Sequence, residues 1–268
     1  MTSTLREQAL GVLLMRDADA KAAAARQLDA RAYAGSGASL AEPPGIPGRP
    51  AKPVLVAHTQ LKHRPANTLM GRATLIHALA HIELNAIDLA LDVCWRFAGM
   101  PDEFYAQWAG VAQEEALHFL LLRDHLRGMG WDYGDLPAHG ALWEMAERTK
   151  HDLTARLALV PRTLEARGLD ASPPIRAKLV AAGDHAAGDI LDIILRDEIG
   201  HVAVGNHWYG VLCRERGLDP IATYADLASA HGAPRLRGPF NLQARRAAGF
   251  SEAELGLLDE SPATPART

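Results

Sequence analysis

Gln113-Glu114-Glu115-Ala116-Leu117-His118 and Arg196-Asp197-Glu198-Ile199-Gly200-His201 are the two stretches on which the fold turns. Each holds a Glu-x-x-His pair, Glu115/His118 and Glu198/His201, preceded by a further acid, Glu114 or Asp197. Three residues is close to one helical turn, so carboxylate and imidazole share a helix face and can reach one metal ion. A chain with 12 histidines produces a lone pair of this kind readily. The order of carboxylates is less ordinary, because Glu83 precedes the first pair and Glu165 precedes the second at nearly the same interval. The chain thus reads Glu, then Glu-x-x-His, twice, with one helical hairpin carrying each half. Two such hairpins packed together bring four glutamates and two histidines to the centre of a four-helix bundle, the ligand set of dinuclear iron and manganese carboxylate proteins. Carboxylates bridge hard cations and each imidazole caps one of them. Glu114 and Asp197 are placed to accept the second N–H of a ligating histidine on a neighbouring helix.

Working outward, the pattern is helical almost throughout from about 66 to 216, and strand-like alternation is nearly absent. Breaks at Gly99-Met100-Pro101, around Gly128–Pro137 and at Gly168–Pro174 predict helices near 66–98, 101–128 and 139–168 and a last one ending near 216, ahead of Gly217. Asp184 is a candidate N-cap for the main part of that last helix. Pro161, one turn before Glu165, predicts a kink that re-aims this ligand, with Glu144 and Glu147 as substitutes. Residues 3–34 read as one amphipathic helix, and the Gly/Pro/Ser-rich stretch 35–62 as an extended arm. After Gly217 the chain is turn-rich, with a short helix near Ser251–Leu258 and a frayed tail. The expected organisation is an N-terminal helix and arm over 1–62, the bundle over 63–216, and a C-terminal extension over 217–268 packing on it.

The 268 residues carry a formal charge of −4, which argues against a general nucleic-acid binder, since phosphate binding rests on a cationic surface. Cys94 and Cys213 are far apart with no Cys-x-x-Cys, which excludes zinc-ribbon and rubredoxin-type sites and points to two buried thiols in a reducing, cytoplasmic setting. No run reaches the ~18 apolar residues of a membrane span. His77 and His81 could share a face of the first long helix, which reads as surface or core hydrogen bonding with a second metal site as the alternative, and His207 could line a pocket mouth or cap a helix end. His58, His63, His125, His139, His151, His185 and His231 read as solvated, and Arg235, Arg237, Arg245 and Arg246 as surface charge, with the gripping of an anionic substrate or tRNA as the alternative.

Glu-Glu-Ala-Leu-His-Phe, Leu-Glu-Ala-Arg-Gly-Leu-Asp and Asp-Glu-Ile-Gly-His-Val, with His-Ile-Glu-Leu-Asn-Ala-Ile-Asp upstream, resemble the ferritin-like superfamily. They are most similar to an uncharacterised bacterial family of ferritin-like domains of unknown function, and more distantly resemble the di-iron tRNA hydroxylase MiaE, chiefly at Glu165-Ala-Arg and the two Glu-x-x-His pairs. Residue by residue, the resemblance implies Glu83, Glu115, His118, Glu165, Glu198 and His201 as metal ligands in an all-α, ferritin-like four-helix bundle. It implies two iron ions, with manganese or a mixed Mn/Fe pair as the alternative. The expected activity is dioxygen-dependent oxidation of a small-molecule or modified-nucleotide substrate, supplied by an external electron donor because no flavin, haem or rubredoxin motif is present. Peroxidase, catalase or ferroxidase chemistry and a metal-free helical interaction module are the competing readings.

Overall fold

In the computed structural model, which describes residues 3–61 and 64–259, the chain is all-helical, and the only extended pairing among the described residues is a single bridge between Leu55 and Ala138. It divides into two compact units, one running to Trp143 and including Lys178–Ile190, the other comprising Glu144–Ala177 and the chain from Leu191 onward.

The first unit is built on α3 (Leu69–Arg96) and α4 (Asp102–Gly128), which pack along their length as an antiparallel hairpin closed by the Phe97–Pro101 turn. Thr68 caps α3 through the Gly71 amide. Trp95 of α3 and Phe104, Tyr105, Trp108 and Phe119 of α4 are all buried. By length and composition α3 is apolar enough to cross a membrane, yet most of it is covered by protein, as a core helix requires. Against this hairpin pack α1 (Leu5–Leu13) on α3 and α2 (Ala18–Arg26) on α4.

The N-terminal region is therefore two helices, where a single one over 3–34 is predicted. The break comes at Asp17, whose side chain accepts from the Ala20 amide and starts α2 afresh; short polar side chains compete with a continuing helix in this way. Among its described residues the Gly/Pro-rich arm has no helix beyond a 3₁₀ turn at His58–Gln60, but its middle is tied down. Gly48 donates to the Leu13 carbonyl at 2.8 Å and lies so close to α1 that a Cβ would fall 2.1 Å from the Leu14 oxygen. The predicted cap at Asp184 is present, accepting from the Ala187 amide at 3.1 Å to start α8 (His185–Arg216). His125, expected in solvent, instead sets its Nε2 3.0 Å from an Asp184 oxygen.

The second unit contains α5 (Ala141–Arg148) from Glu144, α6 (Leu153–Leu159), a π-helical turn (Val160–Glu165), α7 (Ala166–Ala181) up to Ala177, α8 from Leu191, α9 (Pro220–Ala230), α10 (Leu242–Ala247) and α11 (Glu252–Asp259). Three features depart from the sequence reading. The helix expected over 139–168 is broken at Asp152, which caps α6 through the Thr154 and Ala155 amides. The break expected at Gly168–Pro174 is absent, and α7 runs through Pro173 and Pro174. A proline removes the amide that would bond four residues back; the Leu169 carbonyl facing Pro173 is met instead by the Asn241 side chain at 3.2 Å. Third, α9 and α10 occupy much of the region read as turns, α9 capped by Asp219 and α10 by Asn241. The short helix predicted near Ser251–Leu258 is present as α11, and the tail expected to fray lies outside the described residues.

The predicted kink at Pro161 takes the form of the π turn, the wider winding that accommodates a lost amide and recurs at functional sites. Thr163 Oγ1 supplies a donor to the Ala158 carbonyl at 2.8 Å inside it. Within this unit Gly205 of α8 is where the turn packs: a Cβ there would fall 2.6 Å from Pro161 Cβ. Gly205→Ala gains about 1 kcal/mol of helix propensity but overpacks this contact at a cost of about 1–3 kcal/mol. The variant is expected to be less stable in urea than the parent, and a stabilised Gly205→Ala would refute the close packing.

Candidate metal centre

Helix geometry puts Glu115 and His118 on the face of α4 that meets α3, and the antiparallel pairing delivers Glu83 from α3 to the same place. Glu83 is 4% exposed, and Glu115 and His118 are 0% exposed. His118 Nδ1 lies 3.4 Å from Glu83 Oε2 and 3.4 Å from Glu115 Oε2, and the three residues offer ligand atoms within 4.8 Å of one another. Burying two carboxylates is expensive unless positive charge accompanies them. Burial works against the charged imidazole, but the hydrogen bonds and charges of Glu115 and Glu83 outweigh it and raise the His118 pKa to about 11. The imidazolium balances the carboxylates here, a balance that a divalent cation would supply more strongly with the imidazole as neutral ligand. Two hard oxygen donors and one borderline nitrogen donor suit iron, manganese or zinc.

The second unit carries its own pair. Glu198 and His201 are both buried on α8, with His201 Nδ1 3.8 Å from Glu198 Oε1 across one turn. Glu165 ends the π turn and is half-buried. Glu144 is exposed on α5, its carboxylate 4.0 Å from Arg148 of the same helix, and Glu147 pairs with Lys150 at 3.3 Å. Glu114 is exposed, whereas Asp197 is held by its neighbour Arg196 at 2.8 Å.

His77 and His81 are buried in the first unit in a core hydrogen-bond network. His77 Nε2 accepts from the Gly134 amide at 3.0 Å. His81 Nδ1 is 2.8 Å from the Tyr133 hydroxyl and Nε2 is 3.1 Å from the His139 carbonyl. The carbonyl can only accept, so Nε2 carries the proton and Tyr133 donates to Nδ1. Burial lowers both pKa values to about 4, keeping the rings neutral. Their spacing of four was visible in the sequence; Tyr133, which stacks on both rings, comes from a distant loop and was not. Cys94 and Cys213 are buried and free, and burial pushes the Cys94 thiol up to about 12.

The chain is 48% identical over 218 residues to an uncharacterized protein of Haemophilus influenzae, an alignment covering 79% of this chain and 76% of that one. No solved structure matches it significantly. The family model described as "Protein of unknown function (DUF455)" matches residues 14–256, nearly the whole described chain. On that match and that identity, the chain belongs to the DUF455 family.

Proposed function

We propose that the chain is a dinuclear metal carboxylate oxidoreductase of the ferritin-like kind, with Glu83, Glu115, His118, Glu165, Glu198 and His201 holding two iron ions, or manganese in their place. The observation that carries this reading is the buried Glu83–Glu115–His118 cluster, an arrangement costly for a core that does not use it. The doubled Glu, Glu-x-x-His order supports extending the same role to Glu165, Glu198 and His201. When bound, such a pair of ions activates dioxygen for hydroxylation or another oxidation of an organic substrate. The residues' own tasks are to hold the donor atoms on rigid helices, keep bulk water away, and set each glutamate and the histidine one turn later on the same helix face. Electrons would come from an external donor protein or reductant, in a cytoplasmic setting.

Metal analysis of the full chain purified without chelators tests this. About two iron or manganese ions per chain, retained or regained on anaerobic reconstitution, is the expected result, together with dioxygen consumption when a reductant is added. Less than about one ion per chain after reconstitution would remove the reading. Rapid disproportionation of hydrogen peroxide without need of a reductant would move the assignment from oxygenase to catalase chemistry.

A further inference from the structure

Arg162 and Arg245 are counter to expectation. An arginine carries five N–H donors and is rarely buried without acceptors for them, and Arg245 reads from sequence as surface charge. In the second unit Arg162 is 4% and Arg245 0% exposed. Arg162 donates from Nε to Asn206 Oδ1 at 2.5 Å and from Nη2 to Glu254, while Arg245 donates from Nε and Nη2 to Asp170 at 3.0 and 2.6 Å and from Nη2 to the Ala166 carbonyl. The Nη1 atom of each is buried with no acceptor among the described residues. Phe250 lies 5.3 Å from both guanidinium carbons, and Tyr209 lies 4.2 Å from that of Arg162, so aromatic faces cover the cations where polar partners are missing.

Both arginines wall one cavity of about 240 Å³, whose other walls include Ile221 and Tyr224 of α9, Leu236, Phe250, and Leu257 of α11. Its lining is almost wholly carbon apart from these guanidinium groups, Glu254 and the Tyr224 hydroxyl. We propose that this cavity binds a small apolar molecule with a carboxylate head, the head accepting from the spare Nη1 donors of Arg162 and Arg245 and the body filling the apolar space. A cavity of ~150 Å³ holds benzene, so this one suits roughly ten non-hydrogen atoms. A singly charged carboxylate has two oxygens to accept from the Nη1 donors and is cheaper to desolvate than a doubly charged phosphate. Glu254 and Asp170 already balance the two cations, which limits the attraction to moderate affinity. The site is independent of the metal reading, and its test uses no turnover.

Octanoate, of matching size, and 1-octanol, its uncharged counterpart, are the probes for calorimetric titration of the full chain as purified. Octanoate is expected to bind with Kd in the range of about 10–1,000 µM and 1-octanol at least about tenfold more weakly. Ala225→Phe, a substitution at an exposed wall residue that leaves both arginines in place, is expected to weaken octanoate at least about tenfold by filling the space. Arg162→Lys keeps the charge but loses the spare Nη1 donor, and is expected to shrink the preference for octanoate over octanol. Equal affinity for the two probes, octanoate binding unchanged by Ala225→Phe, or no binding at millimolar octanoate would each overturn the proposal.

Discussion

Replacing His118 by leucine is expected to destabilise the metal-free protein by about 3–5 kcal/mol and to weaken iron or manganese binding by more than about 100-fold. The first effect follows from the charge balance of the buried cluster. With the imidazolium gone, Glu83 and Glu115 must either stay charged in a low-dielectric core or take up protons, and both outcomes cost stability. The two causes can be separated. Adding Glu115→Leu to His118→Leu removes one of the buried carboxylates and is expected to restore part of the lost stability while leaving metal binding as poor as before. Urea denaturation of the chelator-treated proteins reads the first effect, and metal content after dialysis reads the second. A His118→Leu protein as stable as the parent and still binding two ions per chain would eliminate both the cluster and its proposed role.

Lys21→Met is expected to cost a comparable 3–5 kcal/mol or so at neutral pH, far from the metal ligands in function but on the same scaffold. Lys21 Nζ on α2 donates to Asp88 Oδ1 of α3 at 2.5 Å and to the Gly48 carbonyl of the arm at 2.7 Å, so one ammonium group ties three segments together. Burial raises the Asp88 pKa to about 6 even though Lys21 opposes it. A carboxyl whose folded pKa lies above its unfolded value of 3.8 contributes most to stability at low pH, and that contribution is lost as pH rises through the folded value. Removing Lys21 raises the folded value further, so the gap between variant and parent should be widest near pH 7 and narrow at pH 5. Lys21→Met with Asp88→Leu, an apolar pair of similar volume, is expected to recover most of the loss. Denaturant midpoints at the two pH values decide it: a gap that does not change with pH would show that the cost of Lys21→Met is packing rather than the stranded carboxylate.

Much of the local structure was legible because it is set by nearest neighbours along the chain. Glu115 and His118 face the same way because an α-helix returns to the same side after nearly one turn, and the caps at Asp184 and Gly217 announce themselves by residue type. The long helices α3, α4 and α8 were readable for the same reason. Two helices read as continuous are split by local caps at Asp17 and Asp152, and elsewhere a distant partner overruled a local preference. Pro173 and Pro174 stay within α7 because Asn241, remote in sequence, takes over the Leu169 carbonyl. Arg245 looks like one of four surface cations until Asp170 and two phenylalanine rings enclose it. For His77 and His81 core hydrogen bonding was one of the readings the sequence allowed, and the structure selects it by bringing in Tyr133 and the backbone at Gly134 and His139.

The sequence by itself determined the helical class and the pairing of each histidine with the glutamate one turn before it, because both depend only on helical periodicity. Only the tertiary structure decided that Glu83 joins Glu115 and His118 in one buried cluster, since that requires α3 and α4 to meet at one particular register. It alone also decided that two arginines would be buried with donors to spare, because burial belongs to the packing of many segments and to no residue's own neighbourhood in the chain.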